Sequence, residues 1–181
     1  MPSPLTPDDL LETADVVAGA LRPVTDLNWA VQAGPLEWDV QRTMTHMIGA
    51  VGKYSLYLAS RSEQFIAFYL ARWEDATNQE VIDSITPVAA ALAAIAAVTP
   101  PGVRAYHARG MRDGAGFVGL ACTEYLLHAD DILAGYQIPF APPDDLCRRL
   151  LAHEGPENTA AAEAGEYWPA LLRWSGRTPA S

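Results

Sequence analysis

Apolar positions recur at three- and four-residue spacing along most of this chain, a period that predicts helices rather than strands. Leu10, Ala14, Val17 and Leu21 form one stripe. Thr6 is placed to cap that helix, Pro7 suits its first turn, Asp8 and Asp9 complement the positive dipole end, and Pro23 stops it. Asp39 caps a second helix that runs to about Ser60. Its main stripe is Met44, Met47, Ile48, Val51, Ser55 and Leu58; Thr43, His46, Ala50, Tyr54 and Tyr57 form another on the opposite side. Both stripes read as free of charge, which predicts a helix buried on two sides. Asn78 caps a third helix through Val98, with a kink or break at Pro87. Its alanine-rich part, residues 89–97, allows close approach of helices, and Pro100-Pro101-Gly102 ends it. Residues 103–116 read as a glycine-rich loop, and a fourth long helix spans about Ala115 to Ala134, ended by Gly135. Between the second and third helices, residues 65–70 read as a short strand, a helix continuation or a lid.

After the stiff connection at Pro139, Pro142 and Pro143, a short helix is expected from about Asp144 to Ala152, and a last one within residues 167–177. The resulting expectation is an all-α fold: an antiparallel four-helix bundle with a crossover connection and short extra C-terminal helices. One domain is expected over residues 1–181, with 139–181 as an extension packed on the bundle.

Charge narrows the partners. The formal net charge is -10, a balance that repels phosphate backbones and anionic lipid, so neither nucleic acid nor a membrane surface is expected. Met1-Pro2-Ser3-Pro4 has neither a basic nor an apolar leader region, and the longest apolar run, residues 88–98, is too short to span a bilayer. A cytoplasmic location follows as an expectation. Cys122 and Cys147 have no CxxC spacing and read as reduced thiols, with a disulfide between them left open. The alanine-rich face and the tail tryptophans are compatible with a homodimer.

The fourth helix carries the most specific chemistry. Glu124, His128 and Asp131 recur at i, i+4 and i+7 and share one face. A carboxylate and an imidazole one turn apart can hold one metal ion, and His46 on the second helix supplies a third ligand. Two histidines and one carboxylate leave metal positions open for water or substrate. The plainer alternative is a hydrogen-bonded Glu124–His128 pair that supports the fold. Asp131 is either the acceptor that orients a ligand histidine or a solvated residue near the helix end. His107, in the glycine-rich loop, either reaches the site to bind substrate or move a proton, or is a surface histidine. Arg104, Arg109 and Arg112 are candidates to receive a carboxylate on a substrate or thiol cofactor, or are simply solvated. Tyr54 and Tyr57 lie on the His46 side, to line a pocket or to pack. Cys122, about 200° around the helix from Glu124 at ~100° per residue, should point away from the site. His153 is explained by a favourable dipole contact at a helix C-terminus.

Leu36-Glu37-Trp38-Asp39-Val40 followed by His46, then Gly114-Ala115-Gly116-Phe117 leading into Glu124-Tyr125-Leu126-Leu127-His128-Ala129-Asp130-Asp131, resembles the DinB-like metal-binding bundles. The branch it resembles most is that of mycothiol-dependent maleylpyruvate isomerase, and this chain's ending Trp168-Pro169-Ala170-Leu171-Leu172-Arg173-Trp174-Ser175-Gly176-Arg177 also resembles that branch. The resemblance implies a four-helix bundle with a divalent metal, zinc first and nickel or iron next, on His46, Glu124 and His128. It further implies that the open position activates a low-molecular-weight thiol, mycothiol by analogy, toward a small electrophile. The isomerase has a separate C-terminal domain that supplies a catalytic arginine, whereas a short tail follows Pro143 here.

Thiol transfer or isomerisation is therefore the leading expectation. A hydrolase or lyase using metal-activated water, an oxygen-using iron site and a non-catalytic ligand-binding bundle are the alternatives.

Overall fold

The computed structural model describes residues 5–68, 70, 75–160, 162, 163 and 165–177. Among them the regular structure is helical, with two isolated antiparallel bridges and no strand. The chain divides into two compact units, residues 6–140 and a smaller one containing Leu5 and the described residues from Ala141 onward.

In the larger unit, α1 (Pro7–Leu21) opens on Thr6, whose backbone N–H and hydroxyl both donate to the Asp9 carboxylate. A 3₁₀ turn, Arg22–Val24, follows it at the proline. Helix α2 (Val40–Ser60) starts where the Asp39 carboxylate accepts from the Arg42 N–H. Its stripe of Met44, Met47, Ile48, Val51, Ser55 and Leu58 is buried as expected.

The next helix begins differently from the expectation. Thr77, not Asn78, is the N-cap of α3 (Asn78–Asp83), because Glu80 three residues on completes a reciprocal capping box. Asn78 donates instead to the Thr25 and Leu27 carbonyls. The break foreseen at Pro87 falls at Ser84, between α3 and α4 (Ile85–Val98). Pro87 lies in the first turn of α4, where its missing N–H removes the hydrogen bond that would have tied it back to Asp83. Taken as one stretch, Asn78–Val98 is long and apolar enough to cross a membrane by length and composition, with mean hydropathy 2.0. The expectation of no such segment counted only residues 88–98. In this fold Val81, Ile82, Ile85, Ala89, Leu92 and Ala93 of that stretch are buried.

Helix α5 (Gly114–Ala134) begins one residue earlier than expected, because the Asp113 carboxylate accepts from the Gly116 N–H. Helices α1 and α2 each pack against both α4 and α5. The core between them includes Leu10, Leu21, Met44, Met47, Leu92, Phe117, Tyr125, Leu126 and Ile132, all fully buried. The segment between α1 and α2 closes onto the end of α5. A Cβ on Gly135 would lie 2.4 Å from the Gln32 carbonyl oxygen, so that contact requires glycine.

Two connections differ from what the sequence pattern predicts. Residues 103–113 hold a bridge, with Ala105 and Arg112 exchanging backbone hydrogen bonds of 2.8 and 2.9 Å around a turn that puts Gly110 at φ 103°. The described residues of the 65–70 segment are neither strand nor helix, and Tyr69 lies outside the described residues.

In the smaller unit, α6 (Asp144–Glu154), α7 (Pro156–Ala160) and α8 (Tyr167–Trp174) pack on one another. The Asp144 carboxylate accepts from the backbone N–H groups of Gly165 and Tyr167 and so joins the start of α6 to that of α8. Helix α6 runs two residues beyond the expected end, and α7 is an element that the sequence pattern does not predict. Cys122 and Cys147 are buried and neither is in a disulfide, which answers the question left open from the sequence. Burial raises the Cys147 thiol to about 12.

Candidate metal centre

Helices α2 and α5 bring together groups that are far apart in sequence. The Glu124 Oε2 atom lies 3.2 Å from His128 Nε2 and 3.6 Å from His46 Nε2. One ligand atom from each residue lies within 4.8 Å of the other two, so the group could hold a metal ion. Ligand atoms about 2.0–2.1 Å from a tetrahedral ion are themselves roughly 3.3 Å apart, close to the two spacings from Glu124 Oε2 to the imidazoles.

The surroundings determine which atoms are available. Asp131, 1% exposed, has its Oδ2 3.0 Å from His128 Nδ1. That contact assigns the Nδ1 proton to the carboxylate side and turns Nε2 toward Glu124. Asp131 is therefore buried against the His128 ring rather than solvated near the helix end. Tyr54 donates from its hydroxyl to Glu124 Oε1 at 3.1 Å, leaving Oε2 for the two imidazoles. Burial and the neighbouring Glu124 carboxylate push the Tyr54 phenol well above its ordinary range, so it stays a donor. For Glu124, burial acts to raise the carboxyl, but the His128 and His46 imidazoles beside it outweigh this and hold the group far below the carboxylate range. For His128, burial acts to lower the ring, and the bonds to Asp131 and Glu124 reverse this to about 8.

The expectation of a helix buried on two sides holds except around His46: Thr43, Tyr54 and Tyr57 of the second stripe are buried, whereas the His46 side chain is 42% exposed, against 12% for His128, at the wall of an open cavity of about 640 Å³. Trp38 packs edge-on against His46, with ring centroids 5.0 Å apart. Tyr54, Tyr57, Phe65, Phe68, Tyr106 and His107 form much of the remaining wall.

Among the other residues singled out from sequence, His107 does reach the cavity. Its Nδ1 accepts from the Arg109 backbone N–H at 3.2 Å, which assigns the neutral ring's proton to Nε2. Burial, with Arg112 and Arg109 nearby, lowers its pKa and keeps it neutral. Tyr57 lines the cavity and accepts from the Ile66 N–H through its hydroxyl. Arg109 is exposed and enters through its backbone and its charge. Arg104 is not brought to the site: its guanidinium donates to the Met111 carbonyl across the hairpin. Cys122 is buried and apart from the ligand group, as the helical angle predicts. His153 lies in the last turn of α6, where a dipole contact is available.

Among the described residues, sequence reasoning missed two cations of this wall. Arg42 and Lys53 line the cavity, Arg42 with its guanidinium carbon 4.5 Å from the Trp38 ring and Lys53 with its Nζ 4.1 Å from the Phe65 ring. The signal was present, since at ~100° per residue positions 42 and 53 fall within about 40° of His46 around the helix. The face read as free of charge therefore carries a cation on either side of the histidine.

No protein-family model, curated protein or solved structure matches this chain.

Proposed function

We propose that this protein is a DinB-like antiparallel four-helix bundle of the mycothiol-dependent maleylpyruvate isomerase type. In this reading it is a cytoplasmic enzyme that uses a divalent ion, zinc in the first instance, to activate a low-molecular-weight thiol against a small electrophile. One observation carries the reading: His46 on α2 and Glu124 and His128 on α5 converge within 4.8 Å, and His46 lines a cavity large enough for a small molecule. A hydrogen-bonded pair placed only for stability requires neither a third donor from another helix nor an exposed imidazole edge.

The residues divide the work. His46, Glu124 and His128 would hold the ion, which would supply the Lewis acidity that turns a bound thiol into a thiolate near neutral pH. Asp131 fixes the His128 tautomer through its 3.0 Å contact. Tyr54 holds one Glu124 oxygen and so restricts the carboxylate to one ligand direction. His107, neutral with a proton on Nε2, offers a hydrogen bond to a substrate or leaving group at the cavity wall. Trp38, Tyr57 and Tyr106 give that wall an aromatic character suited to a carbon skeleton.

The test is metal content after equilibration with zinc and gel filtration. We expect about one equivalent in the parent and little in His46→Ala and Glu124→Ala. Full occupancy in His46→Ala would overturn the site. With the metal established, turnover of an electrophile that requires added thiol supports transfer or isomerisation, whereas equal turnover without thiol would assign the chemistry to water.

A further inference from the structure

The cavity wall carries a guanidinium for which the proposed metal group has no use. Arg42 lies one helical turn before His46 on α2, so the two Cβ atoms are roughly 5–6 Å apart on one face. Trp38 joins the two side chains. The guanidinium carbon of Arg42 is 4.5 Å from the indole, and the His46 imidazole packs edge-on against the same indole with centroids 5.0 Å apart. The backbone at Trp38 is itself tied down: its carbonyl accepts from the Ala33 N–H at 2.9 Å, and the adjacent Asp39 bridges to Gln32. One anchored ring therefore holds a cation and a candidate metal ligand side by side.

The charge of Arg42 is open to a ligand. Among the described residues no carboxylate forms an ion pair with its guanidinium, which leaves the N–H donors of the fork for an outside acceptor. Asp39 is the one carboxylate in the cavity wall among the described residues, and its Oδ1 accepts from the Arg42 backbone N–H as the helix cap. Lys53 differs, since it lies two turns beyond His46 and has partners of its own. A protein of net charge -10 repels anions at long range, so an anion settles only where a local cation reverses the field. A planar fork matches the two oxygens of a carboxylate. A phosphoryl group would bring nearly two charges against a single guanidinium in an acidic protein, which disfavours it.

From this juxtaposition we infer that the cavity binds a small carboxylate, its acid group on the Arg42 guanidinium beside Trp38 and its other end at the His46–Glu124–His128 group. The one-turn spacing of Arg42 and His46 suits an acid whose second polar atom is two or three carbons from the carboxylate. This names the substrate class of the site proposed above. It rests on that reading only for what happens at the far end, since recognition by Arg42 requires no metal.

The experiment uses 3-mercaptopropionate and its methyl ester as probes on the full chain, with metal content measured in parallel. Both offer the same thiol, so the difference between them isolates the carboxylate. On the zinc-loaded protein, calorimetry should show the acid binding at least ~10-fold more tightly than the ester, as one hydrogen-bonded charge contact warrants. Arg42→Gln should remove most of that preference and Arg42→Lys should keep only part of it, while circular dichroism monitors the fold. Equal binding of acid and ester, or an unchanged preference in a folded Arg42→Gln protein, would overturn the inference. If the protein takes up no zinc, the Nε–H resonance of Arg42, assigned by its loss in Arg42→Gln, decides instead. Saturable movement with the acid and not with the ester would uphold the inference while refuting the metal reading; no movement would overturn both. Inorganic phosphate saturating that resonance at lower concentration than the acid would overturn the carboxylate class. Zinc uptake without a preference that depends on Arg42 would leave the metal reading standing and this inference refuted.

Discussion

At the scale of single residues, the site is governed by who shares a proton with whom. In the ion-free protein, burial opposes charge on His128, and its bonds to Asp131 and Glu124 outweigh burial and lift it to about 8 from 6.5. A folded value above the unfolded one contributes stability fully below about 6.5 and loses it as pH rises through about 8. Glu124 has the opposite sign: its depressed carboxyl contributes above its ordinary value of 4.5 and loses that contribution only on acidification. Both contributions coexist between roughly pH 5 and 6.5. We therefore expect the chelator-treated protein to lose on the order of 1–2 kcal/mol between pH 6 and pH 9 through this ring. Urea unfolding at the two pH values measures it, and a His128→Gln protein should lose the difference. A parent as stable at pH 9 as at pH 6 would mean that the ring is not paired as described.

At the scale of elements, helix ends and close approaches are what single substitutions would expose. Gly135, just past α5, sits where a Cβ would meet the Gln32 carbonyl oxygen at 2.4 Å. Backbone cannot yield as a side chain can, so the segment before α2 would have to move away from the end of α5. Gly135→Ala should cost about 1–3 kcal/mol, the usual range for overpacking. Because Trp38 and Asp39 lie at the end of that same segment and line the cavity, the cost should be accompanied by a changed tryptophan emission. Thermal unfolding with fluorescence read on the same sample checks both; an unchanged melting temperature would show that the segment accommodates the methyl group.

At the scale of the whole molecule, the consequence of the centre is a cross-link. An ion on His46 and on Glu124 with His128 would tie α2 to α5, two core helices of the 6–140 unit. Binding that requires the folded arrangement stabilises by mass action, about 2.7 kcal/mol at a hundredfold excess over Kd. For a chain of this size that corresponds to a rise in melting temperature of roughly 5–10 °C. Calorimetric scans with and without zinc should give that rise in the parent and little in His46→Ala. An equal rise in both would place zinc elsewhere, with the acidic surface as the first suspect.

Much of this was legible in the chain itself. Period and capping residues determine α1, α2 and α5 nearly to their ends, because helix formation depends on neighbours within four residues. The spacing of Glu124, His128 and Asp131 puts them on one face of α5 for the same reason. Where two local signals competed, as Thr77 against Asn78 for the start of α3, the choice followed the partner Glu80, also readable in sequence. The pairing of His46 with Glu124 across two helices, the opening of the His46 face onto a cavity, the placement of Arg42 and Lys53 in its wall and the diversion of Arg104 to the Met111 carbonyl were decided only by the tertiary structure. Those contacts join residues distant along the chain, and the energy that selects them lies in how helices and loops pack rather than in any local pattern.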